Sequence, residues 1–98
     1  MTTTLRDGVR VLTPVGDLDA ATAGLFTAAL AEATEPVVAD LSRVEFLGCA
    51  GIRALITTPP LAVVGSDAVR RALTVTGADS ALTLHPTLAG ALAAATVH

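Results

Sequence analysis

The length, composition and charge of this chain exclude several classes of function. Its 98 residues fall within the size of one domain, and so short a chain has little room for a second core or an enclosed active-site cavity. We therefore expect a single domain over residues 1–98. The formal net charge is −3 and the chain has no lysine, so no basic stripe is available to bind nucleic acid or anionic lipid.

The sequence offers no support for membrane insertion, export or metal binding. The most apolar segment, 81–97, is interrupted by His85 and Pro86 and lacks the run of about 18 apolar residues that a membrane span needs. The N-terminus lacks the basic stretch and apolar core of a secretory signal, which predicts a cytoplasmic protein. Cys49 is the single cysteine, and together with His85 and His98 it does not match a zinc-binding pattern. We expect no internal disulfide, no metal and no cofactor.

The first elements in chain order are a strand, a turn, a helix and a second strand. Apolar residues at every second position predict a strand over Val9–Val15, and Gly16–Asp19 has the composition of a turn. Thr22 is placed to cap a helix. The apolar stripe of that helix consists of Leu25, Phe26, Ala29, Leu30 and Ala33. Val37–Leu41 is apolar up to Asp40, as expected for a central strand covered on both faces.

A short helix follows in the middle of the chain. Val44–Leu47 leads into the small-residue turn Gly48–Gly51, after which Ile52, Leu55 and Ile56 have helical spacing. Pro59 and Pro60 end this helix, because proline cannot donate the backbone hydrogen bond that a helix requires.

The last part of the chain repeats the strand–helix pattern twice. Leu61–Val64 predicts a buried strand, followed by a helix with Ser66 as its N-cap and Gly77 as its C-terminal stop. Leu82–Leu84 predicts a short strand and Thr87 caps a final helix. The apolar positions of that helix are Leu88, Ala91, Leu92 and Ala95. Strands that alternate with helices predict an α/β fold with a mixed sheet.

Three segments, in this order, resemble the STAS family of anti-sigma factor antagonists: Gly16–Thr22, Asp40–Ile52 and Val64–Gly77. The resemblance implies a mixed sheet of about four to five strands, covered mainly on one side by about four helices. By comparison with the family, the second helix is shortened, because Pro59 and Pro60 end it early. That helix forms much of the docking surface in the family, so a shorter helix implies a smaller or different partner footprint.

The resemblance also implies a regulatory function, but this sequence differs from the family at the turn Gly48–Gly51. The family turn reads Asp-Ser-Ser-Gly or Asp-Ser-Thr-Gly, and a partner kinase phosphorylates its second hydroxyl residue. Here Gly48, Cys49, Ala50 and Gly51 occupy these positions, and Ala50 has no oxygen to accept a phosphoryl group. We therefore expect a protein that is not an enzyme. It would bind an anti-sigma factor or a related regulatory ATPase or kinase, influence sigma-factor-dependent transcription, and not be switched by phosphorylation at this position.

The partner-binding residues that the resemblance implies are Asp19, Gly48, Cys49, Ala50, Gly51 and Arg53. Two of them have competing interpretations. Asp19 is either part of the partner surface or the first residue of a hydrogen-bonded Asx turn. Cys49 is a redox candidate, because the positive end of a helix dipole favours a thiolate, but a small buried filler is the favoured interpretation.

Three further hypotheses stay open. Single STAS domains that resemble this chain also accompany lipid-trafficking ABC transporters, so it could be an accessory subunit of one. It could be a thiol-responsive regulator through Cys49, and it could form a homodimer. A nucleophilic role for Cys49 would need a base such as His85 and a third residue to orient that base, and the sequence shows no such set.

Overall fold

The computed structural model describes residues 1–95 and contains a five-stranded mixed sheet beside a two-stranded ribbon. In chain order the strands are β1 (Thr2–Arg6), β2 (Val9–Thr13), β3 (Gly16–Leu18), β4 (Val37–Leu41), β5 (Val44–Leu47), β6 (Ala62–Gly65) and β7 (Leu84–His85). The large sheet has the order β1-β2-β4-β6-β7, and β3 pairs with β5. Strand β1 runs antiparallel to β2, and all other pairs are parallel.

The described residues also form four α-helices and one 3-10 helix. These are α1 (Ala23–Glu32), α2 (Cys49–Thr57), α3 (Asp67–Thr76), the 3-10 helix Ala78–Ala81, and α4 (Leu88–Ala95). The predicted α/β fold with a mixed sheet is confirmed, and so is a short second helix that ends just before the proline pair. His98, considered above as a metal ligand, lies outside the described residues.

Strand β4 separates two hydrophobic layers, because successive side chains of a strand point to opposite faces. On one face, Ala39 and Leu41 join a core with side chains from α1, α2 and α3, including Phe26 and Leu55. On the other face Val38 packs with α4. That smaller layer consists of Val9, Val38, Ala62, Val64, Ala91 and Ala95. Three helices therefore cover one side of the sheet, as predicted, and α4 alone covers the other.

Several predicted helix ends are confirmed. The hydroxyl oxygen of Ser66 accepts a hydrogen bond from the Val69 N–H (3.3 Å), and Gly77 ends α3 in the left-handed conformation with φ 77°. The Thr87 hydroxyl oxygen accepts from the Gly90 N–H (3.1 Å) at the start of α4. These bonds satisfy terminal backbone groups that an uncapped helix would leave unpaired.

The N-terminal hairpin is a feature that the sequence analysis missed. Strand β1 pairs with β2 along its whole length, and a two-residue loop of Asp7 (φ 51°) and Gly8 (φ 81°) joins them. Every residue of β1 is exposed, so the strand has no buried face and no apolar period to reveal it. The Asp-Gly pair is the signal that could have predicted it, because two-residue hairpin loops need positive φ at both positions.

Two boundaries in the next segment were predicted wrongly. The strand expected over Val9–Val15 ends at Thr13, before Pro14, which has no N–H to continue the ladder. Gly16–Leu18, interpreted as part of a turn, forms β3 and pairs with β5, with a register shift between Gly16 and Asp17. This segment is too short and too polar to be recognised as a strand from the sequence. It forms a strand because it pairs with β5.

Candidate functional site

The first turn of α2 is anchored to the end of β3. Gly48 occupies the N-cap position in extended conformation (φ −86°, ψ 177°), and its N–H donates to the Leu18 carbonyl oxygen (2.9 Å). The Gly48 carbonyl oxygen accepts from the Ile52 N–H (3.1 Å), which begins the helix. The predicted turn Gly48–Gly51 is thus an N-cap followed by the first three residues of α2.

Gly51 allows α2 to approach β3 closely. A Cβ atom at this position would lie 2.7 Å from Leu47 Cδ1 and 2.8 Å from the Leu18 carbonyl oxygen. Real Cβ contacts are essentially never below 3.0 Å. Gly51 is also buried, so it does not itself contact a partner. Its role in the fold is therefore to set the position of the helix rather than to bind.

Asp19 organises the turn between β3 and α1. Its Oδ1 accepts hydrogen bonds from the N–H groups of Ala21 (3.0 Å) and Thr22 (3.2 Å), which is the predicted Asx turn. The Thr22 hydroxyl accepts from the Asp19 N–H (3.0 Å) and donates to the Asp17 carbonyl oxygen (2.7 Å). Thr22 precedes α1 but makes no capping bond through its side chain, so that prediction was wrong.

The structure brings the Asp19 turn and the start of α2 together. A Cβ atom at Gly48 would lie 3.5 Å from both Cα and Cβ of Asp19 and 3.2 Å from the Phe46 ring. Asp19, Gly48 and Ala50 are half-buried, whereas Cys49 and Arg53 are exposed. Five of the six predicted site residues therefore reach the surface at least in part, and buried Gly51 is the exception.

Cys49 is exposed, which contradicts the favoured interpretation of a small buried filler. The helix turns its apolar stripe of Ile52 and Leu55 toward the core. Cys49 precedes that stripe and faces outward, a position that depends on how α2 packs and not on the residue type. The thiol is thus open to solvent in the folded protein.

A cavity of about 270 Å³ lies beside Cys49, between α2 and the end of α3. It is lined by Cys49, Ile52, Arg53, Ile56, Thr57 and Thr76. Ile56 is 46% exposed, and Phe46 on the preceding strand is 55% exposed. We call the exposed side chains of Phe46, Cys49, Arg53 and Ile56 the α2 face. The spacing of Cys49, Arg53 and Ile56 at i, i+4 and i+7 was the sequence signal for this face.

A second concave surface is lined in part by residues that flank Asp19 in its turn. It has a volume of about 610 Å³, and its lining includes Met1, Pro14, Val15, Asp17 and Leu25. Met1, Val15 and Leu25 are all at least half exposed. Of the two cavities, only the one beside Cys49 is lined by residues of the predicted site.

Residues 1–95 contain neither a metal-binding cluster nor a membrane-spanning helix. No group of three or more His, Cys, Asp or Glu side chains is arranged to hold a metal ion in this part of the chain. The longest helices described have ten residues, and none is both long and apolar enough to cross a bilayer.

Comparisons with known proteins give consistent results. The STAS domain model matches residues 1–58, which include β1 to β5 and all of α2. The chain is similar to the crystal structure of an anti-sigma factor antagonist from Mycobacterium paratuberculosis. The identity is 34% and the TM-score 0.86, and the match covers 96% of this chain and 91% of that one. No curated protein matches the chain.

A second solved structure shares the fold at lower identity. It is a proposed anti-sigma factor antagonist from Thermotoga maritima, with 20% identity, a TM-score of 0.78, and coverage of 96% of this chain and 92% of that one. The family match over more than half of the chain and the 34% identical relative agree with the fold and with the resemblance seen in the sequence. The protein is therefore a member of the STAS domain family, of the anti-sigma factor antagonist-like type.

Proposed function

We propose that this protein binds an anti-sigma factor in the cytoplasm and thereby influences sigma-factor-dependent transcription, without catalysing a reaction. The observation that carries the proposal is the partly exposed first turn of α2 beside the Asp19 turn, in a chain 34% identical to an anti-sigma factor antagonist. The surface is preorganised by backbone hydrogen bonds, so little ordering entropy would be lost on binding.

The proposed contact surface combines the Asp19 turn with the α2 face. The Asx turn fixes the Asp19 carboxylate, and the Gly48–Leu18 hydrogen bond fixes the start of α2 next to it. Exposed apolar side chains with one charged residue are typical of the centre of a protein–protein interface. Together these features support docking of a protein partner.

Regulation by phosphorylation would have to differ from the family pattern. The side chain of Ala50 is a methyl group, so it cannot accept a phosphoryl group, and it is half-buried at the first turn of α2. We infer that binding is either constitutive or controlled by another input. If binding is constitutive, the protein would bind its anti-sigma factor at all times, and the concentration of the protein would set how much anti-sigma factor is bound.

The test is a titration against individual partners. The anti-sigma factors of the source organism would be purified one by one and titrated with the untagged chain by isothermal calorimetry. We expect one of them to bind saturably at a 1:1 ratio. An ATPase subunit of a lipid-trafficking ABC transporter serves as the competing candidate. Binding to that subunit and to none of the anti-sigma factors would contradict the proposal.

An Ala50→Ser variant tests the inference about regulation. If the bound anti-sigma factor is a kinase, ATP should lead to phosphorylation of the variant at the introduced hydroxyl and not of the wild-type chain, because only the variant has that oxygen. Phosphopeptide mass spectrometry identifies the modified residue. Phosphorylation of the wild-type chain by the partner at Ser42, Ser66 or Ser80 would contradict the inference that this input has been lost.

A further inference from the structure

The cavity between α2 and α3 has the character of a site for a side chain. Its volume of about 270 Å³ is below the roughly 300–1,000 Å³ of sites that enclose small-molecule ligands. Ile52, Ile56 and Cys49 supply apolar atoms. The Thr76 hydroxyl already donates to the Ala72 carbonyl oxygen (2.8 Å), so its hydrogen is not available to a ligand. An apolar group is therefore the favoured occupant.

Arg53 is the one charged residue that lines this cavity, and no acidic residue lines it. Among residues 1–95 the ion pair formed is that of Arg10 with Glu35, at 2.9 Å, and Arg53 has no such partner. A guanidinium group binds carboxylates through two parallel hydrogen bonds, and this geometry is specific. The charge at the edge of the cavity is therefore complementary to an acidic side chain.

The cavity is continuous with the proposed contact surface. Cys49 belongs both to the first turn of α2, beside Gly48 and Ala50, and to the lining of the cavity. A protein that covers the Asp19 turn and the start of α2 would reach the cavity without a break in the interface. Such a cavity would bury one anchoring side chain, as the energetic centres of interfaces do.

We propose that the anti-sigma factor inserts one apolar side chain into the cavity lined by Ile52 and Ile56 and pairs an adjacent carboxylate with Arg53. This inference rests on the proposed function and adds the chemistry of the partner segment to it. The specificity of binding would then depend on the apolar lining of the cavity and on Arg53, both of which are present in the short helix α2. The apolar anchor supplies affinity, and the carboxylate selects among partners.

The first experiment reverses the charge of Arg53. The probe is the anti-sigma factor that binds the wild-type chain in the calorimetric titration. We expect Arg53→Glu to weaken its binding at least about tenfold, because the partner carboxylate would then face a like charge. Arg71→Glu is the matched control, since Arg71 is exposed on α3 and does not line the cavity. It should bind within about twofold of wild type.

The second experiment places a charge in the apolar cavity. We expect Ile56→Asp to weaken binding by about tenfold or more, because a desolvated carboxylate would meet the apolar anchor. The matched control is Leu5→Asp, as Leu5 is similarly exposed (54%) on edge strand β1. Circular dichroism verifies that both variants fold, and if Ile56→Asp unfolds, the Arg53→Glu result decides the matter.

A partner variant provides the strongest support. Replacing each candidate carboxylate of the anti-sigma factor by arginine should yield one variant that restores binding to Arg53→Glu and weakens binding to wild type. If Arg53→Glu binds like Arg71→Glu, the inference is overturned while the proposed function stands. If no anti-sigma factor binds the wild-type chain, both are overturned.

Discussion

Helices α2 and α3 have nearly the same length but differ in their caps, in the charge of their first turns and in their exposed residues. Helix α3 has a side-chain N-cap at Ser66, an acidic residue in its first turn at Asp67, and a left-handed glycine at its end. Helix α2 has no side-chain cap at Gly48 and no acidic residue in its first turn. It also exposes Cys49 and Ile56, whereas the exposed residues of α3 are mostly charged or hydroxyl-bearing.

The difference agrees with the proposal that α2, and not α3, carries the contact surface. In α3 the caps and the helix dipole favour the same structure, although Val75 is 79% exposed. Helix α2 lacks a side-chain cap and exposes apolar residues on its solvent side. It packs tightly where Gly51 contacts β3. Departures from local rules tend to cluster at functional sites, which agrees with the proposed contact surface.

The largest expected effect is at the close contact between α2 and β3. Gly51→Ala should lower the free energy of unfolding by about 2–3 kcal/mol, because its Cβ would meet the Leu18 carbonyl oxygen and the Leu47 side chain. Gly24→Ala is the control. It lies in α1 with nothing within 4 Å of the new Cβ, so it should stabilise by about 0.5–1 kcal/mol. Urea denaturation measures both, and equal stability of the two variants would contradict the close approach.

The caps of the two helices should respond differently. Ser66→Ala should cost about 1–2 kcal/mol, because the Val69 N–H loses its acceptor and the Val44 carbonyl oxygen loses a donor at 2.9 Å. Gly48→Ser should change stability by less than about 0.5 kcal/mol, because serine and glycine are both accepted N-caps and the Phe46 ring, 3.2 Å from the new Cβ, is 55% exposed and can shift. Thermal melts test this comparison. A loss at Gly48→Ser as large as that at Ser66→Ala would remove the contrast between the helices.

Labelling of Cys49 distinguishes an exposed thiol from a buried one. N-ethylmaleimide should react with the native protein at a rate comparable to that with the urea-unfolded chain, because the thiol is exposed. The labelled protein should keep its circular dichroism spectrum and lose binding to the anti-sigma factor, as the adduct would lie at the mouth of the cavity. Protection of the thiol until global unfolding would contradict its placement on the α2 face.

The smallest expected effect is at a surface ion pair remote from both helices. The hydrogen bond from Arg10 to Glu35 lowers the pKa of the Glu35 carboxyl below its ordinary value of 4.5. Near that pH the unfolded chain binds more protons at Glu35, so the stabilisation is present above pH 4.5 and is lost as pH falls through the lower folded pKa. Wild type should be slightly more stable than Glu35→Gln at pH 7 and equal to it in acid. A gap that widens as pH falls would contradict this sign, and high salt should narrow it.

The sequence predicted most where local and tertiary preferences agree. Strand β4 is buried at every position and apolar at every position except Asp40, and Ser66 and Gly77 mark the ends of α3 as expected. Prediction failed at β1, whose residues are all exposed and which is held only by its pairing with β2. Edge strands of this kind have no hydrophobic period, so their Asp-Gly loop carries the available signal.

The candidate site was predicted in part. The resemblance to the STAS family implied that the turn around Asp19 and the start of α2 share a surface, but not which side chains face outward. Cys49 was interpreted as a buried filler from its residue type, whereas its exposure, like that of Ile56, depends on how α2 packs against α1 and β3. The i, i+4, i+7 spacing places Cys49, Arg53 and Ile56 on one side of α2, but which side of the helix faces solvent is set by tertiary packing.

Mapping of the bound surface tests the central claim most directly. Two-dimensional NMR of the ¹⁵N-labelled chain would be recorded during titration with the anti-sigma factor that binds it. We expect the largest amide shifts in two segments, 17–22 and 46–57, with residues near Thr76 affected as the cavity fills. Shifts confined to α4 or to the surface around Met1, Val15 and Leu25, with the start of α2 unchanged, would contradict the account.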